Sequence, residues 1–141
     1  ASTDGEGGRP VSVSTVQEGS RYYREMQVQT ASPAKLVWLM LDGAARLSAQ
    51  AQKAAQAGDL EEAHRNIVRV QDIVDELDCS LDMRAGEVAQ ALERVYAFAR
   101  SRLVEANLRK DPELLGVLRG MFEELRATWE RAMRAAPAAT V

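Results

Sequence analysis

The chain carries one cysteine, Cys79, and one histidine, His64, among its 141 residues. A lone thiol excludes a disulfide within the chain, which fits a reducing compartment. A lone imidazole excludes the pair of Glu-x-x-His motifs by which helical bundles hold two metal ions. Aromatic residues make up only 5% of the chain. No apolar run approaches the ~20 residues of a membrane span, so no membrane association is expected. There is no basic excess either: the formal charge is −3. A duplex-binding protein carries a basic stripe, so nucleic acid is not an expected partner. Residues 1–20 lack the apolar stretch of a secretory signal. A soluble, cytoplasmic protein is the expectation.

What is present points to helices. Hydrophobic residues reach 46%, with Ala, Leu, Glu and Arg prominent, and such side chains lose little freedom in a helix. A chain of this length folds as one domain and buries roughly 68–70% of its unfolded surface. Residues 1–20, rich in Gly, Ser, Thr and Val without helical period, read as a disordered tail. Residues 21–136 form the expected domain.

Four helical segments follow. Ser32-Pro33 opens the first, with serine as cap and proline at the first helical position. Leu36, Leu39, Met40, Leu47 and Ala51 make its stripe, and Gly58 ends it as a left-handed cap. Asp59 and Glu62 predict a capping box for the second. Leu60, Ala63, Ile67, Val70, Val74, Leu77 and Leu81 then alternate in steps of three and four, a bundle seam. The third starts near Glu87 after Gly86, with Val88, Leu92, Val95, Ala99, Leu103 and Ala106. Asp111-Pro112 opens the fourth, with Leu115, Leu118, Phe122, Leu125, Trp129 and Ala132. Gly116 and Gly120 mark places where a neighbour approaches closely. Connections at 58–59 and 110–111 are so short that their flanking helices must run antiparallel. The expected fold is all-α, an antiparallel up-down four-helix bundle with a flexible N-terminal segment.

Catalytic patterns fail on inspection. Glu61-x-x-His64 has the spacing for one metal, but its partner motif is missing. Ser32-x-x-Lys35 copies a serine β-lactamase motif without the remaining elements. Cys79 has no second cysteine and no histidine nearby in sequence, and reads as a small, half-buried side chain. No glycine-rich phosphate loop occurs. Glu61, Glu62, Arg65 and Arg69 read as a solvated helix face, with Glu61–Arg65 and Glu62–Asn66 as neighbours at helical spacing. No enzyme, metal or cofactor is expected. A bundle of this kind works through its surfaces.

Several segments, in order, carry a resemblance. They are Thr30-Ala31-Ser32-Pro33-Ala34-Lys35-Leu36-Val37 with Asp42-Gly43-Ala44; Val70-Gln71-Asp72-Ile73-Val74-Asp75-Glu76-Leu77 with Ser80-Leu81-Asp82; Arg102-Leu103-Val104-Glu105-Ala106-Asn107 with Asp111; and Leu125-Arg126 with Trp129. From Tyr23 to about Trp129 the chain resembles the FliS family of flagellar secretion chaperones. It departs at Leu41, where the family usually has tyrosine, so a phenol hydrogen bond is lost. It departs again at Val95-Tyr96-Ala97-Phe98, which keeps a ring at its second aromatic site but not the hydroxyl. The resemblance implies a cytoplasmic chaperone that binds the C-terminal segment of flagellin, prevents its premature polymerisation and, when loaded, meets a component of the flagellar export gate.

Partner-binding residues follow from the same comparison and from the helical pattern. Tyr23 aligns with the family's N-terminal tyrosine, in a segment implied to close over the groove or compete with the client; the alternative is a staple that packs on the first helix. Ile73 stands one step off the seam and reads as a surface apolar residue, with Leu77 on the seam beside it. Asn107 and Leu108, ending the third helix, complete the set. A second reading is self-association of the helical bundle, as a homodimer, or an adaptor module for another partner.

Overall fold

A computed structural model describes residues 32–135. The expected tail and Tyr23 lie outside the described residues. Four helices follow in order: α1 (Pro33–Gln56), α2 (Leu60–Cys79), α3 (Glu87–Arg109) and α4 (Pro112–Ala135), with a 3-10 turn, Met83–Ala85, between α2 and α3. Each packs on its sequence neighbours, and α4 closes back on α1. Cross-links fix the directions. Gln52 reaches the Pro112 carbonyl, Asp42 meets Arg126, and Trp129 donates to the Ala34 carbonyl, so α1 and α4 run antiparallel. The bundle is the expected up-down one.

Local chemistry sets the helix ends. The Lys35 amide donates to Ser32 Oγ at 3.0 Å, with Pro33 at the first helical position. At the other end of α1 the Asp59 amide donates to the Ala54 carbonyl at 2.9 Å and the Gly58 amide to Ala55 at 3.1 Å. That pairing is a Schellman turn, and it requires the φ of +77° that Gly58 adopts. It also corrects the capping-box expectation. Asp59 Oδ1 does accept from the Glu62 amide, but the Asp59 amide is already spent on Ala54. The Glu62 carboxylate therefore turns to Arg65 and Asn66, and these bonds hold its pKa below the usual range. Arg65 pairs with Glu62 here, not with Glu61. At α4, Asp111 Oδ1 accepts from the Glu113 amide at 3.0 Å. Just before it Lys110 takes a left-handed φ of 50°, which a non-glycine residue adopts at a cost.

The core centres on Phe122, Ile67, Leu77, Leu103, Leu115 and Leu118, all fully buried. α1 contributes many small residues, Gly43, Ala44, Ala45, Ser48, Ala51 and Ala54, so α2 and α4 pack closely against it while α3 stands further out. Leu41, where the phenol is lost, joins the apolar core at 2% exposure. On α4 a Cβ at Gly116 would stand 2.6 Å from Gln52 Nε2, whereas Gly120 has no neighbour within 4 Å. Close approach is required at the first glycine only.

Several stripe assignments shift. Leu60 is 55% exposed, because it opens α2 beyond the reach of neighbouring helices, and Ala132 is exposed near the end of α4. Leu81 lies past the end of α2 yet packs on the core. On α3 the buried positions are Ala89, Tyr96, Ala99, Leu103 and Ala106, and Val88 is 64% exposed. The true seam runs one position later than Val88 and Val95 suggest, which turns the Tyr96 ring inward. Burial, with the nearby charge of Asp78, pushes its phenol up to about 12. Cys79 is exposed, not half-buried, since it lies about 200° round the helix from buried Leu77, on the outward face of α2.

Candidate partner-binding surfaces

The four described residues of the sequence-derived set, Ile73, Leu77, Asn107 and Leu108, do not form one surface. Ile73 is 6% exposed and Leu77 1%. This corrects the reading of Ile73 as a surface residue. α2 is wedged between α1 and α3, so its buried arc widens to take in Asn66 and Ile73 on the flank of the Ala63–Leu77 seam. Both Ile73 and Leu77 belong to the core of the free bundle. Asn107 and Leu108 lie together at the far end of the α2–α3 edge. Asn107 Oδ1 accepts from His64 Nδ1 at 3.1 Å, tying α3 to α2. Leu108 is the most exposed large apolar side chain among the described residues, at 82%, with Val104 one turn earlier also exposed.

The inter-helix polar links are unevenly distributed. α2 and α3 are joined by His64–Asn107 and by Arg100, which reaches Asp75 and Asp78, each at 3.2 Å. α1 and α4 are joined by Arg126–Asp42 at 2.7 Å, Arg119–Gln52, Gln52–Pro112 and Trp129–Ala34. Among the described residues no side-chain hydrogen bond or ion pair joins α3 to α4, and these neighbours pack most lightly. Their edge is apolar. Half-buried Leu92 and Leu114, Met121 and Leu125 pack at the margin of the core there. Exposed Val88 and Phe98 on α3 and Val117 on α4 flank them. Arg102 lies 5.7 Å from the Phe98 ring centre and pairs with Glu105 at 3.1 Å. This cleft was missed in the sequence. The available signal was the surplus of apolar residues on α3, enough for two stripes.

Asp72 is a second residue missed in the sequence. It is only 9% exposed, and its Oδ2 is buried without a hydrogen-bond partner. Burial, then the charge of Asp75, pushes its carboxyl up to about 6. Among the described residues no group of three or more His, Cys, Asp or Glu is placed to hold a metal ion. No described helix is long and apolar enough to cross a membrane.

Known proteins share this sequence pattern along most of its length. The family described as flagellar protein FliS matches residues 16–136. The flagellar secretion chaperone FliS of Bacillus subtilis is 27% identical over 119 residues, covering 84% of this chain and 89% of the relative. The flagellar secretion chaperone FliSB of Pseudomonas aeruginosa is 34% identical over 107 residues, covering 75% and 85%. The FliS of Vibrio cholerae is 27% identical over 108 residues, covering 76% and 79%.

Proposed function

Because this chain belongs to the FliS family of flagellar secretion chaperones, we propose that it binds the C-terminal segment of flagellin in the bacterial cytosol. Bound there, the segment is withheld from polymerisation, and the loaded complex is the form that the flagellar export gate receives. The observation that carries this reading is the apolar edge between α3 and α4. An amphipathic helix laid along it covers Val88, Phe98 and Val117 and breaks no described polar link between helices. Helix-in-groove recognition of this kind needs apolar anchors at helical spacing on the client. Leu108 and Val104 are also exposed, on the α2–α3 side of α3, and are not part of this edge.

The test is calorimetric titration with a peptide covering the C-terminal region of the flagellin from the same bacterium. One-to-one binding, helix gained by the peptide and a negative heat-capacity change are expected; coupled folding of this type buries about 1,000–3,000 Å². Phe98→Asp places a charge on a side chain already 52% exposed, so the fold tolerates it. Affinity should fall by at least about tenfold, the scale of an interface anchor. Absence of heat and of induced helix at high micromolar peptide refutes the reading. Mass that rises with concentration and is unaffected by the peptide points instead to self-association.

A further inference from the structure

α3 is fastened along its second half only. From Tyr96 onward it sets Tyr96, Ala99, Leu103 and Ala106 in the core, Arg100 reaches Asp75 and Asp78, and Asn107 meets His64. Before Tyr96 the fastening stops. Over residues 87–95 only Ala89 is buried, with Leu92 at the margin of the core. Among the described residues, no side chain of this stretch hydrogen-bonds or ion-pairs with another helix. α3 is also the one described helix whose start has no side-chain cap, which leaves its first amides to solvent. Gly86 precedes it at φ 71° and ψ −126°, and a Cβ there would meet nothing within 4 Å. A stretch short of buried contacts and polar ties opens at low free energy, and a glycine with room around it absorbs the change in φ and ψ. The same stretch is apolar along the cleft. Val88, Ala91 and Val95 recur in steps of three and four, Phe98 continues them, and the next positions, Arg102, Glu105 and Arg109, are charged.

We infer that residues 87–95 are the moving jaw of the α3–α4 cleft, pivoting on Tyr96 and Arg100 with Gly86 as hinge, and that in the client-free chain the jaw swings onto α4 and shuts the cleft. Val88 stands twelve residues before Arg100, a lever of about 18 Å, so a turn of about 15° carries it about 5 Å. The structure holds the open form, with Val88 and Ala91 exposed. Closure lays them against half-buried Leu125 and exposed Ala132 of α4. That burial is favourable, and it breaks no described polar bond, because Arg100 lies on the pivot. A client helix competes with this closure, so its apparent affinity falls with the fraction of chains that are shut. The jaw's role rests on the cleft being the client's site, as proposed above; its motion does not.

The motion is read in the full chain carrying Cys79→Ser, by distances between spin labels on paired cysteines. Gln90→Cys with Arg131→Cys spans the jaw and α4; Ser101→Cys with Gly120→Cys spans the fastened half. All four sites are exposed. Without peptide the first pair should give two distances about 5 Å apart, and the second pair one. The flagellin C-terminal peptide should leave the first pair with its longer distance alone. A single sharp distance for the first pair in the peptide-free chain overturns the inference. Ala91→Cys with Ala132→Cys, in the same Cys79→Ser chain, staples the jaw shut. The disulfide should form under mild oxidation and cut peptide affinity at least tenfold, and reduction should restore it. A disulfide that does not form, or a stapled chain that binds as tightly as the reduced one, also overturns the inference. Peptide that binds neither form refutes the flagellin reading instead, and the label distances still decide the jaw.

Discussion

Replacing Asp72 by asparagine should make the protein more stable, and the size of the gain should depend on pH. The carboxyl's folded value is raised from 3.8 to about 6 by burial, then by Asp75. In the unfolded chain it titrates near its ordinary value. Between these two values the native state holds a proton that the unfolded state has released. Stability therefore declines as pH rises from about 4 to about 6 and stays lower above that. About two units, at roughly 1.4 kcal/mol each, set a ceiling near 3 kcal/mol. Local relaxation and water reduce it, so about 1–3 kcal/mol is expected at pH 7. Asparagine keeps the shape without the charge and recovers this amount; below pH 4 both proteins should be equally stable. Urea denaturation at pH 3.5, 5 and 7 measures it. A variant that is neutral or destabilised at pH 7, or one whose gain is the same at every pH, refutes the reasoning.

Lys110→Gly should stabilise by about 0.5–1 kcal/mol, since it relieves a left-handed conformation at φ 50°, less the entropy glycine loses on folding; chemical denaturation reads it directly. Gly116→Ala alone should change stability by under about 1 kcal/mol, because helix propensity gained offsets the Gln52 bonds to Pro112 and Arg119 that the new methyl displaces. In a Gln52→Ala background the same change should stabilise by about 1 kcal/mol, a coupling that a double-mutant cycle isolates. Phe122→Ala, at a fully buried site in the core, should cost about 3–5 kcal/mol and lower the thermal midpoint or abolish cooperative unfolding.

The legible parts of the fold were those where one stripe dominates. On α2 the three-four alternation from Ala63 to Leu77 coincides with fully or nearly fully buried residues, and the Ser32, Asp59 and Asp111 caps all form. α3 misled because it offers two stripes about one residue apart. Hydrophobicity alone ranks Val88 and Val95 above Ala89, yet the alanine is buried at 2% and Val88 is not. The helix faces the core with small residues and leaves larger ones on its lightly packed side. The site residues were harder for a related reason. Whether Ile73 is inside depends on how far α1 wraps round α2, which is a property of two helices and of the small residues on one of them. Asp72 was invisible because an aspartate off the seam is the commonest kind of solvated residue; only its burial makes it unusual.

The uneven fastening of the bundle bears on how a client is taken on and let go. Among the described residues the α1–α4 and α2–α3 edges are stitched by charge-assisted and amide links, and α1–α2 by close contact of small side chains; α3–α4 has contact alone. In the binding mode proposed above, entry along that edge would exchange apolar contact for apolar contact. Loading would break no polar link among the described residues, and unloading would leave none of their charges unpaired. Capture and release by that route would need no refolding, and their rates should respond to temperature far more than to salt.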